Sequence, residues 1–237
     1  MNPYKYTIYP GFYESCGPEG EKLIEYVEKE WKHQPHVGEL PLDIVAQTEA
    51  HGDNAVAAID AVASRVTGNQ DEFRRLQNDM HCYRAFAYAF GWKVKAAQHV
   101  LNYKWSKDIK ELDAAVPLLE KSLEYYRQLV DLTKDTYFYA NSMQTAQRRI
   151  PIGGDGGNMK HWSELLPKYE QELANLKKNI AMLKAQAAGT YKMKAEDIKP
   201  LKDATQQTGA FQMENINGEA NFKTVKIAKG AKLFNDL

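Results

Sequence analysis

The strongest constraint on the fold of this chain is its apolar spacing: four long segments carry apolar residues at alternating steps of three and four. The α-helix has 3.6 residues per turn, so such steps place these residues on one helical face. The same spacing runs through residues 45–66, 109–130 and 162–183. The segment at 73–101 shows the pattern most clearly, with Phe73, Leu76, Met80, Tyr83, Ala87, Phe90, Val94, Ala97 and Leu101. We therefore expect four long amphipathic helices, each burying one face.

Short joints between the first three of these helices favour an antiparallel bundle with small crossing angles. A shorter helix is expected before them, at about 19–33. Residues 211–227 alternate apolar and polar around Asn217-Gly218, the pair most typical of a tight β-hairpin. The sequence thus predicts a mainly α fold, an antiparallel four- or five-helix bundle with a short C-terminal β-hairpin. The expected parts are a lead-in with the first helix (1–40), a helical bundle domain (41–190) and a C-terminal extension with the hairpin (191–237).

Charge and hydropathy argue against two broad classes of partner. The 237 residues contain 31 Lys plus Arg and 31 Asp plus Glu, so no net field favours nucleic acid. No apolar run approaches the roughly 18 residues that a membrane span needs. The first residues lack the order of a signal peptide. The compartment stays open: cytoplasmic, or periplasmic or extracellular if the chain is part of a larger secreted protein. Cys16 and Cys82 fit no metal-ligand spacing, and two buried free thiols are favoured over one disulfide.

The stretch between the fourth and fifth helices, residues 136–162, is longer than a joint inside a compact bundle needs, which is typical of functional loops. Aromatic rings can stack on sugars, side-chain amides give directed hydrogen bonds, and arginines bind carboxylates in a bidentate manner. The loop combines all three around the glycine-rich run IGGDGG. The candidate carbohydrate-binding residues are Tyr137, Tyr139, Asn141, Gln144, Arg148, Arg149, His161 and Trp162. The simpler alternative is a loop that only packs across one end of the bundle.

A second stripe on the third helix lies off its main apolar face. It consists of His81, Tyr88, Trp92, His99 and Tyr103, at steps of seven and four. A helix with two apolar sides is either the central helix, buried between its neighbours, or a helix that docks another domain or protein, because exposed aromatic patches seldom lack a function. These five residues are therefore a candidate interaction face, with burial as the alternative.

The chain carries no self-contained catalytic signature. Its glutamates and aspartates decorate polar helix faces, and no GxSxG, HExxH or Cys-His arrangement supplies a nucleophile or a metal centre. His81 and His99 lack the carboxylate-histidine spacing of a metal site. The sequence therefore predicts no catalytic residue, metal site or cofactor, although a site assembled from scattered residues would leave no motif.

Four segments, in this order, carry a resemblance to known proteins: LPLDIVAQTEAHGDNAVAAIDAV, RRLQNDMHCYRAFAYAFGWKVKAAQHV, AAVPLLEKSLEYYRQLVDLT and NSMQTAQRRIPIGGDGGNMKHWSELLPKYEQEL. Together they resemble a helical region of large multidomain carbohydrate-active proteins of gut Bacteroidetes. There the region follows a barrel module similar to α-glucuronidases and precedes β-sandwich modules. The resemblance covers roughly residues 40–185. It implies an accessory helical domain whose catalytic barrel lies elsewhere, and it transfers no catalytic residue to this chain.

Taken together, these features predict a non-catalytic helical accessory domain of a glycan-binding or glycan-degrading protein, to whose carbohydrate site the loop at 136–162 contributes. The parent protein would then be a glycoside hydrolase. The alternative is a helical protein-protein interaction module that docks through the aromatic face of the third helix. The expected partners are carbohydrate and neighbouring domains or a protein.

Overall fold

A computed structural model of the chain describes residues 20–137 and 161–191. Within these residues the protein is mainly helical, and its only β-type pairing is an isolated bridge between Gly20 and Glu39. The α-helices of the described residues are α1 (Leu23–Lys32), α2 (Pro41–Val62), α3 (Gln70–Ser106), α4 (Ile109–Thr133) and α5 (Trp162–Ala187), with a short 3-10 helix, Ala63–Arg65, after α2. The mainly α fold class is confirmed for this part of the chain.

The long helices run antiparallel in succession, and α3 lies in the middle. On one side α3 packs against α2, where Arg84 Nε donates to Asp53 Oδ1 at 2.6 Å. On another side it packs against α4, where the buried Ser122 Oγ donates to Ala89 O at 2.6 Å. Helix α5 packs mainly against α4, and α1 packs against α3. Helix α3 is therefore the central helix, covered on more than one side.

The core consists of two apolar clusters. The larger one draws on all five α-helices and includes Leu23, Val27, Val45, Val94, Ala97, Val100, Leu101, Leu112, Leu119, Leu176 and Ile180. The smaller one joins α3, α4 and α5 near the end of α4, with Cys82, Ala85, Ala89, Tyr126, Leu129, Val130 and Leu165. The smaller cluster supports the two described ends of the loop between α4 and α5.

Local sequence explains where the helices begin and how the chain reverses. Pro41 opens α2, and proline is favoured in a first turn because its missing N–H would have no helical partner there. The side chain of Asp108 caps α4 by accepting from Lys110 N–H at 3.0 Å. Lys107, with a left-handed φ of 61°, turns the chain between α3 and α4. Helix α4 continues through Pro117.

The predicted main stripe of α3 is wrong in its first half. Val94 and Leu101 are buried as expected, but Leu76 is 47% exposed and Tyr83 is 64% exposed. The physical reason is that periodicity shows that a face is apolar, not that a neighbour covers its whole length. Helix α1, which packs against the second half of this face, has 10 residues.

Other predictions have mixed outcomes. The expected β-hairpin around Asn217-Gly218 and the thiol of Cys16 lie outside the described residues, and the proposed domain boundaries stay a prediction. Cys82 is a buried free thiol, as expected. Among the described helices, none combines the length and the apolar character that crossing a membrane requires.

Candidate functional site

Three of the predicted sugar-binding residues lie in the described part of the chain, at the two ends of the loop. Tyr137 follows α4, and His161 directly precedes Trp162, the first residue of α5. The rings of Tyr137 and Trp162 meet edge to face, with centroids 5.8 Å apart. The ring of His161 meets Trp162 in the same way at 5.6 Å. The fold thus brings these three side chains together.

His161 is the N-cap of α5, and its ring is engaged within the chain. Its Nδ1 accepts from the Ser163 N–H at 3.1 Å, which assigns the proton of a neutral ring to Nε2. That Nε2 lies 3.3 Å from Thr133 O, to which it can donate. The Glu164 carboxylate accepts from the His161 N–H at 2.7 Å and completes a capping box. His161 therefore joins the end of α4 to the start of α5 and holds Trp162 in place.

Tyr126 fixes the same end of the molecule. Its hydroxyl donates to Trp162 O at 3.2 Å, and its ring lies 4.2 Å from that of Tyr169. Burial, and to a lesser extent the neighbouring Tyr169, raises the pKa of Tyr126, so this hydroxyl stays a neutral donor. The rings of Tyr137 and Trp162 are half-buried, at the edge of the smaller core cluster. Aromatic rings held in this way can stack on a sugar ring.

Five predicted loop residues lie outside the described residues, so their place relative to this aromatic pair stays a prediction: Tyr139, Asn141, Gln144, Arg148 and Arg149.

The predicted interaction face of α3 lies in the seam between α2 and α4, with Tyr88 near its centre. The Tyr88 hydroxyl donates to Asp53 Oδ2 at 2.7 Å, and its ring stacks on Tyr125 at 4.8 Å. Asp53 also accepts from Arg84. These two hydrogen bonds, first from Tyr88 and then from Arg84, lower the pKa of Asp53. Tyr88 thus ties α2 and α4 to α3.

The other members of the predicted face are also held by neighbouring helices. His81 Nε2 lies 3.2 Å from Asp60 Oδ1 of α2. His99 Nδ1 lies 2.7 Å from Glu111 Oε2 of α4. Tyr103 is buried, at 5% exposure. The stripe therefore serves packing between helices, and its use as a docking surface stays a prediction.

Trp92 is the member of this face whose ring N–H lacks a hydrogen-bond partner among the described residues. Its ring has Lys95 Nζ at 4.4 Å and Lys121 Nζ at 5.8 Å, and Lys95 also donates to Glu49 at 2.9 Å. The Trp92 Nε1–H is buried and has no hydrogen-bond partner in the described part of the chain. An unpaired buried donor of this kind costs about 1–3 kcal/mol.

A charged cluster at the start of α1 was missed by the sequence analysis. The buried Glu21 accepts from Lys29 Nζ at 2.5 Å and from Val37 N–H at 2.7 Å, and its other oxygen lies 2.7 Å from His36 Nδ1. Burial by itself raises the pKa of Glu21, but the hydrogen bonds from Lys29, His36 and Val37 lower it to about 2.

The second ring nitrogen of His36, Nε2, lies 2.6 Å from Glu30 Oε1. Hydrogen bonds to Glu30 and Glu21 raise the pKa of His36. The cluster ties α1 to the segment that leads into α2. No sequence signal links these residues, because Glu21 and His36 are 15 positions apart.

Metal binding finds no support in the residues that the structure describes. Within 20–137 and 161–191, no group of three or more His, Cys, Asp or Glu side chains is arranged to hold a metal ion.

The chain is similar to a solved enzyme structure. No protein-family model matches this chain, and no curated protein matches it. Among solved structures, the chain is similar to a GH138 enzyme targeting pectin rhamnogalacturonan II, with 74% sequence identity and a TM-score of 0.67. The match covers 77% of this chain and 26% of that chain. This chain therefore spans about a quarter of the length of the enzyme it resembles.

The match to the GH138 structure tests part of the family resemblance seen in the sequence. The solved neighbour is a carbohydrate-active enzyme, which supports the broad class that the resemblance implies. The finer expectations, a helical accessory region and a neighbouring barrel similar to α-glucuronidases, stay predictions.

Proposed function

We propose that this chain is a non-catalytic helical part of a larger glycoside hydrolase that acts on pectic polysaccharide. The observation that carries the proposal is the similarity to a GH138 enzyme, because 74% identity over most of this chain accompanies coverage of only 26% of that enzyme. Most of such an enzyme therefore lies outside the part that this chain resembles, and the proposal assigns the reacting carboxylates to that larger part.

Three carboxylates of the described residues are engaged in contacts within this chain, which favours a structural role for them over that of a general acid. Glycosidases need a carboxyl group with a raised pKa as general acid, opposite a second carboxylate. Asp53 and Glu21 instead have lowered pKa values, Asp53 through hydrogen bonds from Tyr88 and Arg84. Glu172 is paired with the buried Lys93 at 2.8 Å. Such carboxylates serve the packing of helices.

We further propose that the loop at 136–162 contributes to a carbohydrate site, with Tyr137 and Trp162 as the described part of its stacking surface. Their support is geometric: the two rings are half-buried, meet at 5.8 Å and rest on buried side chains. A sugar ring stacked on Trp162 would use a surface that α4 and α5 already hold in position.

Isothermal titration of the full chain with rhamnogalacturonan II oligosaccharides, and with neutral and uronic-acid oligosaccharides, tests the carbohydrate site. We expect weak binding that falls about fivefold in Trp162→Ala, since an aromatic contact is worth about 1 kcal/mol. Trp31→Ala is the matched control, because Trp31 is 51% exposed on α1 and should leave binding unchanged. Equal losses in both variants, or no binding to any glycan, would contradict the carbohydrate site.

Two further measurements test the rest of the proposal. The isolated chain should release no sugar from rhamnogalacturonan II, and hydrolysis by it would overturn the non-catalytic assignment. An antibody raised against the chain should detect, in the source cells, a protein several times larger than 27.0 kDa. A native protein of 27.0 kDa would overturn the assignment to a larger enzyme.

A further inference from the structure

The first half of α3 presents large apolar side chains to solvent. Leu76 is 47% exposed, Tyr83 is 64% exposed and Phe86 is 54% exposed. Steps of seven and three residues place all three on one side of the helix. We call these three residues the α3 patch. Single exposed apolar residues are common, but a row of them on one helix face marks a contact surface.

The same face is covered further along α3. In the second half of the helix, Val94 and Leu101 continue the three-four spacing and are buried in the core cluster that contains Leu23 and Val27 of α1. One apolar face thus runs along α3: its second half joins the core cluster that includes α1, and in the described part of the chain its first half stays exposed. The apolar spacing of the sequence continues through this first half.

One carboxylate shares the side of α3 that carries the α3 patch, because Asp79 precedes Phe86 by seven residues. The other charged or titratable side chains between Leu76 and Phe86 face α2: Arg84 pairs with Asp53, and His81 lies against Asp60. The patch therefore combines three large apolar side chains with one carboxylate, and an apolar partner surface fits its apolar part.

We propose that a neighbouring domain of the same polypeptide packs on the α3 patch through an apolar surface of its own. The inference rests on the proposed function. The length of the GH138 chain indicates what covers the α3 patch. This chain matches only 26% of that protein, so about three quarters of a protein of that kind is available to cover this face. The α3 patch is distinct from the predicted face at His81–Tyr103, which α2 and α4 occupy.

The test places one charge in the α3 patch, in two contexts. Tyr83→Glu and Phe86→Glu are made in the isolated chain and in a chimera in which this chain replaces the matched stretch of the GH138 enzyme. Gln128→Glu is the matched control, because it adds the same charge at an exposed position on α4. The same two substitutions are also made at the aligned positions of the GH138 enzyme itself, which does not depend on the chimera folding.

We expect each patch variant to lower the Tm of the chimera and of the GH138 enzyme by about 5 °C or more, and to change that of the isolated chain by less than about 2 °C. Light scattering should show the isolated chain as a monomer. Unchanged Tm in both long proteins would overturn the inference. If the Tm of the isolated chain falls equally, other segments of this chain cover the α3 patch. If the isolated chain forms a dimer that the substitutions dissociate, a second copy covers it. Either result would overturn the inference.

The proposed function is scored separately, by hydrolysis of rhamnogalacturonan II. If the chimera is active and its Tm does not change on substitution, only the docking surface is contradicted. If the chimera is inactive but the substitutions lower the Tm of the GH138 enzyme, only the proposed function is contradicted.

Discussion

Replacing Gly91 with alanine should weaken the contact between α2 and α3. Gly91 is buried in α3 where α2 crosses it, and a Cβ built there would lie 2.9 Å from Val45 Cγ1 and too close to the carboxylate of Glu49. Val45 is 1% exposed and belongs to the core, so it has no free space to enter. Glycine at this position therefore sets how closely the two helices approach.

Two opposing effects decide the size of the change. Alanine stabilises a helix interior by about 1 kcal/mol relative to glycine. Overpacking a core costs about 1–3 kcal/mol, and displacing Glu49 weakens its partly exposed ion pair with Lys95, which is worth less than about 1 kcal/mol. We expect a net loss of about 1.5 kcal/mol in the free energy of unfolding, and a fall in Tm of roughly 5 °C.

Urea and thermal unfolding followed by circular dichroism measure this change. Gly68→Ala is the control, because nothing lies within 4 Å of a Cβ at Gly68, and we expect it to be neutral or to stabilise by about 0.5 kcal/mol. Adding Val45→Ala to Gly91→Ala should cost less than the sum of the two single changes, because it vacates the space that the new methyl group needs. A Gly91→Ala protein as stable as the wild type would refute the close-contact argument.

Three more predictions concern buried polar groups. The pKa of Glu21 in the folded state, about 2, lies below its ordinary 4.5, so the stabilising effect of Glu21 is present above pH 4.5 and lost as the pH falls towards 2. Glu21→Gln should remove this part of the pH dependence of the free energy of unfolding, measured by urea unfolding. Glu172→Met removes the carboxylate from the buried Lys93 and should cost about 3 kcal/mol, whereas the double variant with Lys93→Met should recover most of it. In a Cys16→Ser background, Cys82 should react slowly with iodoacetamide at pH 8 and quickly once unfolded, because burial, with a smaller effect of a nearby carboxylate, raises its pKa to about 11.

The sequence predicted which faces of α4 and α5 are buried, but only half of the main face of α3. Leu112 and Leu119 in α4, and Leu176 in α5, are almost fully buried as their spacing indicates. The same spacing failed at Leu76 and Tyr83, because it reports the chemistry of a face and not the length of the helix that covers it. Which neighbour lies where depends on contacts that are distant in sequence.

The candidate site likewise has features that the sequence predicts and features that it does not. The aromatic residues at the loop ends could be found by composition, yet the role of His161 as a cap was missed. A signal was present: His161 precedes an apolar run and is followed by Glu164, the spacing of a capping box, with histidine in place of the usual serine or threonine. By contrast, the contact between Glu21 and His36 follows from the way α1 folds back on the next segment, and no local pattern encodes it.

Helix lengths account for only part of the α3 patch. Helix α3 has 37 residues and α4 has 25, so α3 is longer by about 18 Å at 1.5 Å per residue. Asn78 donates to Leu132 O near the end of α4, and Gln77 donates to Asp60 near the end of α2, so both neighbours end close to the same level of α3. Leu76 lies at this level, where the two neighbouring helices end, whereas Tyr83 and Phe86 lie further along α3, beside both of them. The exposure of Tyr83 and Phe86 therefore follows from the side of α3 on which they lie, a side that α2 and α4 leave uncovered in the described part of the chain.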